Sequence, residues 1–155
     1  SLMNDRFAMI NREMKYAAFD QVFVCSEEDI YYIEIGGIEE IFVNELFYLY
    51  PTLVFYTGDK TAFAVMIPGE ETANFDRYSD RIRVLTPDEY LVGYHKGPHE
   101  KIRETFQRMR DAAEGILDDG CSLSDTEICI DIIDQFIEAD KNNFVTKVMI
   151  KINRE

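Results

Sequence analysis

Tyr90-Leu-Val-Gly-Tyr-His-Lys-Gly-Pro-His-Glu-Lys-Ile-Arg-Glu-Thr-Phe106 is the stretch from which the fold can be read. An extended apolar and aromatic run breaks at Gly97-Pro98 and resumes with helical spacing. Ile102, Phe106, Met109, Ala113 and Ile116 fall on one face, with Lys101, Arg103, Arg108, Arg110 and Asp111 elsewhere. Pro98 suits a first helical turn, where a missing N–H leaves nothing unsatisfied. The spacing predicts strand, glycine–proline corner and amphipathic helix.

The same order of signals occurs earlier. Ile30–Ile35 is strand-like, Gly36-Gly37 breaks it, and Ile38–Leu46 opens an apolar-rich helix. With Gly37 set against Gly97, Glu40 aligns with Glu100, Phe42 with Ile102 and Leu46 with Phe106. Two further strands are expected after each helix: Thr61–Ile67 and Arg81–Leu85 in the first half, Glu127–Ile133 and Phe144–Ile152 in the second. Thr86-Pro-Asp88 reads as a turn, which would make Arg81–His95 a central hairpin joining the halves. The reading is a doubled β-α-β-β unit.

At 155 residues, 46% hydrophobic and 30% charged, the composition is that of one globular domain. No apolar run approaches the roughly 20 residues of a membrane span, and no signal peptide is visible, so a cytoplasmic protein without membrane contact is expected. A net charge of -14 disfavours nucleic-acid binding by this chain alone, because phosphate contacts draw on clustered lysine and arginine. Cys25, Cys121 and Cys129 form no CxxC pair and read as free thiols. No cofactor motif is present.

Ser1-Leu2 reads as a cloning remnant. Phe7, Ile10 and Met14 recur at helical spacing, either as an arm packed on its own domain or as the end of a longer dimerising helix. Residues 1–18 are therefore set apart from a domain over 19–155, with halves at about 19–86 and 87–155. Gln21–Cys25 reads as a strand or docking segment, Tyr48–Pro51 as the end of the first helix, and Thr57-Gly-Asp-Lys60 as a turn. In Glu127–Ile133, Ile128, Ile130 and Ile132 point one way and Glu127, Cys129 and Asp131 the other. The isoleucine face is expected under the helices, leaving Glu127 on the far side.

His95 and His99 are four apart, but the Gly97-Pro98 corner separates them and no third ligand completes a metal site. Glu127 opens an otherwise apolar strand in a chain rich in tyrosine and phenylalanine. A carboxylate with aromatic walls is what a lipophilic cation needs. An exposed, inert glutamate is the plainer reading of the same position.

The run Tyr16–Ile35, with Gln21-Val-Phe-Val-Cys-Ser-Glu-Glu-Asp-Ile30, together with Tyr90–Phe106, Thr126–Ile132 and Phe144–Ile152, resembles the linker and effector-binding domain of multidrug-responsive MerR-family activators, a GyrI-like domain. The resemblance spans most of the chain from about Lys15. It implies an α+β fold, a pseudo-twofold pair of β-α-β-β units with an antiparallel sheet and helices on one face. It also implies a homodimer that meets DNA only through an N-terminal domain missing from this chain, and a hydrophobic small-molecule effector, cationic in the family. By that likeness Glu127 is the ligand carboxylate and Phe144 a wall, while two aromatic wall positions fall on Lys96 and Lys101. Lysines there would repel a cation.

Two other classes remain open. Some GyrI-like relatives hydrolyse reactive small molecules, for which Glu127 with Tyr94 or Tyr32 would be the acid–base candidates. A third reading is an acidic module that inhibits another protein.

Overall fold

The computed structural model describes residues 2–44 and 49–155. In chain order the elements are α1 (Leu2–Tyr16), β1 (Val22–Glu27), β2 (Ile30–Ile35), α2 (Glu39–Val43), β3 (Thr52–Thr57), β4 (Lys60–Ile67), β5 (Ile82–Leu85), β6 (Asp88–Lys96), α3 (Ile102–Ile116), β7 (Cys121–Ile133) and β8 (Val145–Arg154). A 3-10 stretch, Gly69–Arg81, kinks at Phe75 before β5.

The eight strands form one antiparallel sheet in the order β1-β6-β8-β7-β3-β4-β2-β5. That order is a palindrome: β6-α3-β7-β8 repeats β2-α2-β3-β4 across an axis between β7 and β3. The doubled β-α-β-β unit expected from the sequence is present, but its membership differs. Thr52–Thr57, not expected as a strand, is the second strand of the first unit, and β5 stands outside it. Thr57-Gly-Asp-Lys60 is the two-residue turn of the β3–β4 hairpin, with Gly58 at φ +61°. Of the helix expected over Ile38–Leu46, Glu39–Val43 is observed; Glu45, Leu46 and Tyr48 lie outside the described residues, as does Ser1.

Arg81–His95 is not a hairpin. β5 pairs with β2, whereas β6 pairs with β1 and β8. Each leading strand is thus joined in sequence to one unit and hydrogen-bonded to the other. Thr86-Pro-Asp88 bends the chain without reversing it, so the β2–β5 register continues directly into β1–β6. The geometric consequence is large. β1 and β2 are six neighbour spacings apart, about 29 Å across a flat sheet. The connection through Glu28 and Asp29 spans at most about 11 Å. The sheet must therefore roll until its edges approach.

The roll has two unlike faces. Inside lie Tyr90, Val92, Tyr94, Leu53, Ala64, Ile128, Ile130, Ile132 and Met149, joined by Ile10 of α1. Outside, α3 covers Leu91, Cys129, Val148, Ile150 and Ile152, and α2 covers Ile33, Ile35, Val65 and Ile67. The repeat helices share one face as expected, and α1 occupies the other. The isoleucine face of β7 is consequently inside the roll and away from α2 and α3, the reverse of the sequence expectation. The rolled interior is the more enclosed surface, so it takes the most apolar alternation. In α3, Ile102, Phe106, Met109 and Ala113 are buried, while Ile116 is left exposed at the helix end. A Cβ at Gly93 would meet Met109 Sδ at 2.9 Å, so the glycine in β6 is what lets α3 lie this close.

Cutting the chain after Thr86 tests the crossed pairing. Fragment 87–155 loses β1 and β3, the partners of β6 and β7. It should remain unfolded alone and fold on mixing with 1–86, as read by circular dichroism and gel filtration. A cooperative thermal transition in fragment 87–155 alone would contradict this topology.

Candidate functional site

The central strands β3 and β7 meet at the pseudo-twofold axis, and their outer faces contribute Val54 and Cys129 to the core beneath α3. On this outer face Glu127 sits directly across from Tyr56. Phe106 of α3 meets the Tyr56 ring edge-on at 5.7 Å. Glu127 is 9% exposed, and Arg110 Nε donates to its Oε2 at 3.1 Å. A second Arg110 nitrogen donates to Ser124 O at 3.1 Å, fixing the guanidinium beside the carboxylate. The result is a nearly buried carboxylate with an aromatic wall and a resident cation. Thr57 and Thr126 hydroxyls, 2.8 Å apart, close the next rung of the β3–β7 ladder.

Asp131 lies on the same outer side of β7, also buried, with His99 Nε2 3.7 Å from its Oδ1. Burial, reinforced by the negative charge of Asp134 and opposed by Arg6, pushes the Asp131 carboxyl up to about 8. Burial also holds His99 below the usual imidazole range, against the pull of Asp134 and Glu100. At neutral pH the contact is therefore between two uncharged groups. Phe144 stacks obliquely on His99 with centroids 5.6 Å apart. His95 is occupied structurally: Nδ1 lies 2.7 Å from Thr105 Oγ1 and Nε2 2.9 Å from Pro98 O. Among the described residues no cluster of three or more His, Cys, Asp or Glu is placed to hold a metal.

The six residues singled out in the sequence do not converge. Glu127 and Phe144 belong to the outer face. Tyr32 and Tyr94 point into the roll, Tyr32 against Phe55 at 5.3 Å and Tyr94 donating its hydroxyl to Glu13 Oε2 at 3.0 Å. Burial and Glu13 raise the Tyr94 phenol well above its ordinary value. Lys96 Nζ stands 5.8 Å over the Phe19 ring, and Lys101 is exposed at the end of the 3-10 turn before α3. The cation paired with Glu127 is Arg110 rather than either lysine. Tyr56 and Arg110 escaped the sequence reading because β3 was not recognised as a strand and Glu127 was assigned to the wrong face. The continuous apolar run Leu53-Val-Phe-Tyr56, bounded by Pro51 and Gly58, was the available signal.

Inside the roll a second polar group is buried. Lys147 of β8 lies 2.8 Å from Glu27 Oε1 and 3.9 Å from Glu13 Oε2. Further along α1, Arg6 Nη2 bonds Asp134 Oδ2 at 3.1 Å, both side chains almost fully buried.

No protein-family model matches this sequence, and no curated protein matches it. Solved structures do. The EcmrR chain from an EcmrR–DNA complex is 13% identical with a TM-score of 0.59; the match covers 99% of this chain and 66% of that one. A hydrolase from Listeria innocua is 12% identical with a TM-score of 0.62, covering 92% of this chain and 97% of the other. SAV2435, solved bound to tetraphenylphosphonium, is 8% identical with a TM-score of 0.59, covering 86% and 94%. The chain has the fold of the GyrI-like effector-binding domains, the α+β architecture that the resemblance implied.

The Asp131 carboxyl gives a pH test. Its proton is retained in the folded state at pH values where the unfolded chain, with an ordinary carboxyl near 3.8, has lost it. Stability from this group is present below about pH 4 and falls as pH rises toward 8, at up to about 1.4 kcal/mol per pH unit. Asp131→Asn should flatten that slope and be the more stable protein at pH 7 in urea unfolding. Identical slopes in the two proteins would rule out a retained proton.

Proposed function

We propose that this chain is the small-molecule-sensing domain of a MerR-type transcriptional activator, with DNA contacted through a separate domain in a homodimer. Glu127 carries the reading. It is a nearly buried carboxylate on the central strand pair of a duplicated scaffold, walled by Tyr56 and Phe106, and its charge is answered by one arginine only 33% exposed. A lipophilic cation is matched to such a site by charge and by aromatic faces. Binding exchanges the ligand for Arg110, so the helix that carries Arg110 feels the ligand directly. The net charge of -14 gives the domain a field that favours cations and disfavours duplex DNA. The EcmrR–DNA complex and the tetraphenylphosphonium-bound SAV2435 share this fold and support the same direction.

The hydrolase of the same fold makes an enzyme the second reading. Glu127 with Tyr32 or Tyr94 does not serve it, since those tyrosines face the other side of the sheet. An enzyme here would have to use Glu127 with Tyr56.

A titration with tetraphenylphosphonium, followed by calorimetry, separates these readings. Glu127→Gln should weaken binding by about 10- to 100-fold, the range for losing a charge-assisted contact of about 1.5–3 kcal/mol. Arg110→Met should strengthen it, because the ligand no longer competes with a resident cation. Binding unaltered by Glu127→Gln would remove the carboxylate from the site.

A further inference from the structure

Away from Glu127, a cavity of about 510 Å³ opens between α1 and the start of β2, the end of β4 and the segment after it. Voids left by imperfect packing are seldom larger than a water molecule, whereas small-molecule sites run from about 300 to 1,000 Å³. Met9 of α1, Met66 of β4 and Leu49 supply apolar walls. Tyr31 supplies a ring face, held against the backbone of residue 69, where a Cβ would meet it at 2.8 Å.

The charges around the cavity are unequal. Arg6 also borders it, but its guanidinium is answered by Asp134 at 3.1 Å. What remains is Arg12 against Asp29, Glu70 and Glu71. Glu71 also accepts from Tyr50 Oη at 3.3 Å, which orients it. The apolar walls call for a compact hydrophobic body and the excess of carboxylates for a positive group.

We propose that this cavity is a second binding site, specific for a small organic cation with an apolar or aromatic body. One of its walls is α1, so an occupant bridges the helix to the sheet and holds it docked. The site is independent of Glu127: neither Glu127 nor Arg110, Tyr56 or Phe106 lines it.

The methionines report on it without added probes. Met9 and Met66 line the cavity, while Met109 of α3 is packed against the other face of the sheet. Protein carrying ¹³C-methyl methionine is titrated with 4-phenylbutylammonium, with 4-phenylbutanol and with 4-phenylbutanoate. The ammonium should shift the Met9 and Met66 methyls saturably and leave Met109 in place, with the anion at least 10-fold weaker. Glu70→Gln with Glu71→Gln should weaken the ammonium several-fold. Ala8→Trp, at an exposed lining position, should fill the cavity and abolish the shifts, with unmoved Met109 and Met149 methyls confirming the native fold. Shifts confined to Met109, equal binding of the anion, no shift at the solubility limit, or shifts that survive Ala8→Trp would each overturn the proposal. Loss of tetraphenylphosphonium binding in Glu127→Gln with these methyl shifts intact keeps the two sites distinct.

Discussion

Two connections of two residues each, Glu28-Asp29 and Thr86-Pro87, impose the shape of this protein. Each joins strands that lie near opposite ends of the sheet order. Neither could reach across a flat sheet, so the eight strands roll, and the roll creates an inside. The inside collects the isoleucines of β7 and the aromatic residues of β6 and receives α1. The outside is left to α2 and α3, and the α3 core extends onto the axis strands through Val54 and Cys129. Glu127 lies where two copies of one unit meet, and α3 reaches over that seam: Arg110 bonds Glu127 and Phe106 meets the Tyr56 ring.

The rolled interior also explains the ion pairs. Lys147 faces inward from the middle of β8, where a lone ammonium would be costly. Glu27 from β1 and Glu13 from α1 converge on it, and Tyr94 donates to Glu13 in turn. Buried pairs of this kind add little net stability over apolar residues of the same size, but they specify geometry. With Lys147 in place, α1 has a defined register on the sheet. The exposed pairs are more tolerant: Arg81–Glu40, Arg83–Glu34 and Arg154–Glu89 all keep access to water and contribute modestly.

Much of the fold was legible because its signals are local. The Gly97-Pro98 corner, the 3.6-residue spacing of Ile102, Phe106, Met109 and Ala113, and the echo at Gly36-Gly37 gave the repeat directly. β3 was hidden by its neighbours: Pro51 suggested the end of a helix and Thr57-Gly-Asp-Lys60 a turn, so the five residues between were left unassigned. The β5–β6 hairpin failed for a different reason. Adjacency in sequence favours pairing, but the partner of an edge strand is set by closure of the whole sheet, a non-local property. The site suffered most. Alternation gave two faces of β7 correctly and could not say which was inside, so Glu127 was placed away from the helices. Its real neighbours, Arg110 and Tyr56, come from elements 17 and 71 residues distant.

The Arg6–Asp134 pair gives α1 a particular mechanical character. With side-chain exposures of 0% and 3%, neither group has water to fall back on. Breaking such a pair while both charges stay buried costs about 3–5 kcal/mol. A slide of a few ångströms along the sheet would incur that cost without relief, whereas complete undocking returns both charges to solvent. The helix is therefore a latch with two positions rather than a lever with many. Anything joined to its N-terminal end would receive an all-or-none signal from the domain, its threshold set by how firmly one arginine is held.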